Sequence, residues 1–330
     1  MEQLNTATPA DIDEAVTKLA GDGARLLHAV EHSRPNVSPS RRRYFTHTFH
    51  VGGRDVEVFS KTNPMPFESL ISTERFLGSC HFTAFRTPHF YGAAEWSGGS
   101  LATWEAVKGR IYSMDNAPPS IVKRLVRIAA DTASATDEAN QKLPALMSRT
   151  TVFEQISDTV MFTLKHLAAS GVEVDDIMED AFLYEKNEHR AFLRFDYLGS
   201  VLSHLDFGNG NVIYPPNREK PVVVDWDTIG MAPPGGALRK LAELDKPVKE
   251  AAASLYARLL EKQGRKVEAH DVYFAMCAGQ GLYFLSWACR RKDTKSGVKI
   301  AKAIRRGFNI LRMAQESAWV PQILPEPLEA

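Results

Sequence analysis

Residues 203–214 read SHLDFGNGNVIY, and residues 221–227 read PVVVDWD. Gly208, Asn209, Gly210 and Asn211 are turn chemistry, because Gly and Asn tolerate positive φ. NVIY and PVVVD are short apolar strand patterns, and PPNREK between them carries a turn signal, so the stretch predicts a β-hairpin. If Asn211 opens the first strand and Asp225 closes the second, the turn centres on Arg218. Antiparallel register then sets Asn211 opposite Asp225, with Cα atoms about 4.5–5.5 Å apart. Asp206 lies five residues upstream of Asn211. Two carboxylates and a carboxamide oxygen are thus expected at one mouth, and hard cations such as Mg²⁺ prefer oxygen ligands.

The chain around this hairpin has 330 residues, 44% of them hydrophobic and 24% charged, an ordinary globular composition whose length suggests two domains. Lys plus Arg and Asp plus Glu both number 40, so no basic excess points to nucleic acid. TPADIDEAVTKLA reads as an amphipathic helix after Thr8 rather than a signal peptide, and no apolar run approaches a bilayer span. Cys80, Cys277 and Cys289 have neither metal-ligand nor disulfide-framework spacing, which points to a reduced, cytoplasmic setting. Charge is uneven locally: residues 151–225 carry 13 acidic and 6 basic side chains, and residues 226–330 carry 17 basic and 11 acidic ones.

The first ~115 residues read as strand-rich. ARLLHAV suits a strand, RRYFTHTFHV–GG–RDVEVFSK and HFYGAAEW–SGG–SLATWEAV suit hairpins, and FESLISTERFLGSC suits a helix. After Pro118–Pro119 the pattern turns helical, with long stretches at 237–262 and 270–315 interrupted upstream only by the 203–225 hairpin. The expected fold class is α+β, with a small β-rich N-terminal lobe, residues 1–107, and a large, mostly helical C-terminal lobe, residues 108–330.

A second constellation lies in the N-terminal part. The GG turn centres its hairpin between residues 52 and 53, so Lys61 faces Tyr44, close to the loop RPNVSPSRRR. That loop offers Ser38, Ser40, backbone N–H groups and guanidinium groups to phosphates. Thirteen residues after Lys61, Glu74 sits on a helix whose buried side is Leu70, Ile71, Phe76 and Leu77, which leaves Glu74 to turn toward Lys61. Singly, each residue has a bland explanation: a lysine ending a strand is usually a solvated charge, Asp and Asn among glycines usually form turns, and His204 is a core histidine. Order and spacing together overturn those explanations. The chain runs strand Lys, helix Glu, apolar hairpin, helices, H-x-D-x-x-x-x-N, hairpin, Asp.

That order resembles the protein-kinase-like two-lobe fold, and HLDFGNGNVIY followed by VVVDWD resembles the signature of the aminoglycoside phosphotransferase and choline kinase family. The resemblance implies that Asp206 orients the acceptor hydroxyl and can take its proton, and that Asn211 and Asp225 hold Mg²⁺ on the nucleotide phosphates. It implies that Lys61 contacts the α- and β-phosphates and pairs with Glu74, and that backbone groups of Glu105, Ala106 and Val107 meet the adenine edge. Asp227 is left as a supporting carboxylate. Two departures stand out: Leu205 replaces a more usual Gly, and Ala237 takes the place expected for an Asp before Leu-Ala. No G-x-G-x-x-G precedes Lys61, which favours small-molecule kinases over protein kinases.

The expected function is Mg²⁺-dependent transfer of the γ-phosphoryl group of ATP or GTP to a hydroxyl of a small molecule. The alternatives are a catalytically weak nucleotide-binding pseudokinase or regulatory module, and a metal phosphoesterase built on Asp206 and Asp225. Lys61, Asp206, Asn211 and Asp225 are all present, which weighs against the first; the second has no use for Lys61 and Glu74. Arg290, Arg291, Lys292, Lys295, Lys299, Lys302, Arg305 and Arg306 are either a solvated face or a lure for an anionic acceptor. The acidic run EVDDIMED, residues 173–180, opposes that lure, since it could receive a cation instead.

Overall fold

The structure is a computed structural model that describes residues 8–32, 42–63, 65–96, 99–112, 117–143, 157–187, 195–208, 210–216, 219–290 and 296–315. The chain forms two compact units. One comprises residues 1–111 and 211–227, the other residues 112–210 and 228–330. This differs from the sequence expectation of 1–107 and 108–330, because the 211–227 hairpin belongs with the N-terminal unit. It is tied there by backbone bridges from Val222 to Arg86 and from Tyr214 to Arg110.

The first unit is an antiparallel five-stranded sheet in the order β1-β2-β3-β5-β4: β1 Arg25–His32, β2 Tyr44–Val51, β3 Arg54–Asn63, β4 Phe90–Trp96 and β5 Gly99–Glu105. Helix α1, Pro9–Ala20, precedes it, and helix α2, Phe67–Ser79, connects β3 to β4. Thr8 caps α1 by accepting from the Asp11 N–H while Asp11 accepts from the Thr8 N–H, two otherwise orphaned donors satisfied at once. Ile12 and Val16 of α1 are fully buried against Phe45, Phe49, Val58 and Leu101. Ala102 and Trp104, on the alternate face of β5, pack with Met65 and Leu70. The β2–β3 hairpin has the predicted register, with Tyr44 opposite Lys61. Buried His47 joins α1 to β3 through Asp13 at 2.9 Å and Ser60 at 2.7 Å.

The predicted 211–225 hairpin is shorter and shifted. Its strands are β7, Val212–Ile213, and β8, Val222–Val223, with Val212 opposite Val223. The Val224 N–H donates to the Asn211 carbonyl at 2.9 Å, so Asn211 faces Val224, not Asp225. Asp225 lies beyond the paired residues and leaves the ladder at φ 63°. The expected turn centre, Arg218, lies outside the described residues.

The second unit is mostly helical. Strand β6, Val201–His204, pairs with β9, Ile229–Ala232, and buries all eight residues. His204 is buried there beside Phe207, as a core residue. The Pro119–Ser134 helix packs on the Lys246–Glu261 helix, and Ala269–Cys289 packs on Gly297–Gln315. The helical pattern at 237–262 is in fact broken: Gly236–Glu243 is a 3₁₀ helix, and an α-helix restarts at Lys246. Pro247 at the second position of the new helix explains the break, because it has no N–H to bond the preceding turn. The 270–315 pattern is likewise two helices. They approach closely at two glycines: a Cβ on Gly281 would lie 2.7 Å from Leu311 Cγ and 2.9 Å from the Gly307 carbonyl oxygen. Among the described residues, no helix is long and apolar enough to cross a membrane.

Candidate active site

In the first unit, β3 delivers Lys61 into a buried position, with its side chain 4% exposed. Its ammonium donates to Asp227 Oδ2 at 2.6 Å and to Asp225 Oδ1 at 2.7 Å. Burial works against the charged form of Lys61, but Asp227 and Asp225 outweigh it and hold the pKa above the ordinary lysine value. Arg42 adds a second cation, 3.4 Å from Asp227 Oδ2. Asp227 therefore bonds Lys61 directly and pairs with Arg42, a closer role than the supporting one expected of it.

The Asp-Trp-Asp spacing accounts for this arrangement. Trp226 is buried in a stack with Phe82 and Phe85, and its indole N–H donates to the Val223 carbonyl at 2.9 Å. That anchor holds the short 3₁₀ turn Trp226–Thr228 beside β8. The carboxylates on either side of Trp226 then both face Lys61. Asp tolerates the left-handed backbone at Asp225 better than most residues, since its short polar side chain can bond locally.

Glu74 corrects an expectation. It is buried on α2, but Lys61 makes no ion pair with it and bonds Asp227 and Asp225 instead. Burial pushes its pKa up to about 7, with the nearby Trp104 side chain and the Lys61 charge opposing and Asp227 reinforcing the shift. The helix presents the acid as foreseen, but the lysine is claimed by two closer carboxylates.

At the end of β5, the Glu105 carboxylate takes a bidentate bond from Arg86 at 2.6 and 2.8 Å and the His89 N–H at 3.1 Å. The Glu105 N–H donates to the His89 carbonyl, and the Ala106 N–H reaches the Glu57 carbonyl at 3.4 Å. Those two donors are therefore spent inside the unit. The Val107 N–H has no acceptor among the described residues. Ser38 and Ser40 lie outside the described residues.

In the second unit, Asp206 follows β6 on a loop where Gly208 and Gly210 both adopt φ 103°, a conformation that side chains strongly disfavour. The Asp206 side chain is 43% exposed. Lys240 donates to its Oδ1 at 2.9 Å, and an Arg239 nitrogen lies 3.5 Å from the same oxygen. Arg239 is almost wholly buried. It donates to the Leu205 carbonyl at 3.2 Å and to Gln280 at 2.7 Å, and its guanidinium stacks on Tyr283 at 3.8 Å. Gln280 in turn bonds Glu243, which pairs with Arg306. Burial lowers the pKa of both Arg239 and Lys240, with Asp206 opposing.

Arg239 and Lys240 were not among the expected site residues. The signal was present: Lys240, not Ala237, is the residue directly before Leu241–Ala242. Of the weighed basic residues, Arg305 bonds the acidic run 173–180, and Arg312, from the same helix, joins it. Arg305 forms a fork on Asp176 at 2.6 and 2.7 Å, and Arg312 pairs with Asp180. Lys299 and Lys302 are exposed, and Arg291, Lys292 and Lys295 lie outside the described residues.

No protein-family model and no curated protein sequence matches the chain. Solved structures do. The aminoglycoside phosphotransferase APH(2'')-Ib with ADP bound superposes with a TM-score of 0.60 at 14% identity, covering 92% of this chain and 99% of that one. The macrolide 2'-phosphotransferase MphH from Brachybacterium faecium gives 0.54 at 16% identity, over 90% and 98%. Choline kinase from Cryptosporidium parvum gives 0.52 at 10% identity, over 88% and 89%. The chain has the protein-kinase-like α+β two-lobe fold that these small-molecule phosphotransferases share.

Proposed function

We propose that the chain is a small-molecule kinase that moves the γ-phosphoryl group of ATP or GTP to an acceptor hydroxyl. The observation that carries this reading is Lys61, a buried strand lysine bonded to both carboxylates of Asp225-Trp226-Asp227. Asp225 precedes the 3₁₀ turn and Asp227 lies within it, so two carboxylates hold the one ammonium. An ammonium meant for phosphate oxygens needs to be charged and fixed, and both conditions are met here. The ADP bound to one structural neighbour supports a nucleotide donor.

Asp225 and Asn211 flank the β7–β8 ladder and would offer a carboxylate and a carboxamide oxygen, ligand types that suit Mg²⁺ shared with nucleotide phosphates. Bound there, Mg²⁺ would neutralise charge on the phosphates. Lys61 would bind the α- and β-phosphates, the Val107 N–H would meet the base, and Ser38 and Ser40 would lie on the phosphate loop. Asp206 would orient the acceptor hydroxyl and can receive its proton. Most of the rate gain would come from positioning and electrostatics.

The test is acceptor-dependent release of ADP or GDP from a pooled metabolite library in the presence of Mg²⁺. Release that tracks a phosphorylated product supports the reading. Phosphate released from esters without any nucleotide would favour a phosphoesterase instead, and nucleotide binding without turnover of any acceptor would favour a pseudokinase.

A further inference from the structure

We propose that the acceptor carries an anionic group, a carboxylate or a phosphate, next to its reactive hydroxyl, and that Lys240 receives it. The inference rests on the phosphotransferase reading, which brings the hydroxyl to Asp206. Lys240 Nζ is 2.9 Å from Asp206 Oδ1, so any hydroxyl bonded to Asp206 is a close neighbour of that ammonium. An ammonium has three N–H donors, and among the described residues only Asp206 accepts from Lys240. The side chain is 13% exposed, so water can satisfy the remaining donors only in part. An anionic group beside the hydroxyl meets that need with charge-assisted bonds.

Local charge points the same way. Asp206 supplies one negative charge, while Lys240 and Arg239 supply two positive charges within 3.5 Å of its Oδ1. Glu243 also acts on Lys240 and Arg239, but it is paired with Arg306, so Asp206, Glu243, Lys240, Arg239 and Arg306 together keep one net positive charge. The acidic run that could have welcomed a cation bonds Arg305 and Arg312 through Asp176 and Asp180. An ammonium-bearing acceptor would bring like charge against partly buried cations, an arrangement that selects against such ligands.

The experiment compares three acceptor panels with the full chain: hydroxy acids and sugar phosphates, their neutral counterparts lacking the anionic group, and aminoglycosides with choline. Wild type, Lys240→Met and Lys240→Arg are assayed, with melting curves to confirm folding. The wild type is expected to turn over anionic acceptors best, with carboxylates and phosphates as separate arms that identify the group. Lys240→Met is expected to raise the acceptor KM about tenfold or more, the scale of a hydrogen bond to a charged group, and to leave the nucleotide KM unchanged. Lys240→Arg should keep most of the preference. Deleting the anionic group should cost wild type as much as the substitution does, and should cost Lys240→Met nothing further. A wild type that prefers neutral or cationic acceptors, or a folded Lys240→Met that loses kcat with acceptor KM unchanged, overturns this inference alone. No turnover in any panel overturns the phosphotransferase reading and this inference with it.

Discussion

Lys61 Nζ lies 2.6 Å from Asp227 Oδ2, and both side chains are almost completely buried, at 4% and 6% exposure. Asp227 thus does for Lys61 what a helix-borne glutamate was expected to do. Removing one partner of a buried pair leaves charge uncompensated, at a cost of about 3–5 kcal/mol when no other partner remains. Asp225 still binds Lys61, so Asp227→Leu should fall below that range yet lower the melting temperature clearly. It should also raise the nucleotide KM, as measured by initial rates, more than Glu74→Gln does. Equal effects of the two substitutions would return the lysine to Glu74.

Glu74 gives the chain a pH dependence of definite sign. Its pKa rises from an ordinary 4.5 to about 7 on folding, mainly through burial. Between those values the folded chain holds the extra proton, so this residue makes stability fall as pH rises from about 4.5 through 7, by about 3 kcal/mol at most. Glu74→Gln should therefore raise the melting temperature at pH 8 and leave it nearly unchanged at pH 4. Thermal unfolding at the two pH values checks this.

Asp206→Asn is nearly isosteric at a half-exposed position and should fold. Turnover should drop by about two to four orders of magnitude, the range for a lost general base and positioning group. Wild-type turnover in a folded Asp206→Asn protein would remove Asp206 from the chemistry.

Asp225 combines a proposed metal ligand with a left-handed backbone at φ 63°. Asn tolerates that conformation, so Asp225→Asn should keep the fold and lose Mg²⁺-dependent nucleotide binding, read by calorimetry with and without Mg²⁺. Asp225→Val should also lose stability, because a β-branched residue is strained there. Nucleotide affinity in wild type that ignores Mg²⁺ would count against the ligand role.

Gly281 tests the helix pair that carries Gln280, the partner of Arg239. Its added Cβ would meet Leu311 at 2.7 Å and the Gly307 carbonyl at 2.9 Å, and backbone yields little. Gly281→Ala should destabilise the chain by about 1–3 kcal/mol, measured by urea unfolding.

Local pattern by itself determined the strands and helices that depend on neighbouring residues: the GG hairpin that sets Tyr44 opposite Lys61, the capped helix after Thr8, and the α+β order of the chain. It also singled out Lys61, Asp206, Asn211 and Asp225, because glycine spacing and strand ends leave a trace in sequence. Tertiary structure decided which charges meet. Whether Lys61 bonds Glu74 or Asp227 depends on a chain separation of 166 residues and on a 3₁₀ turn held by stacked Trp226, neither of which has a sequence period. The same holds for Lys240. On the chain it is one more basic residue in a basic segment; only the 3₁₀ turn ahead of Pro247 brings it to Asp206. Hydrophobic periodicity encodes the face a residue presents, while ion pairing across long separations depends on distances that only the packed fold supplies.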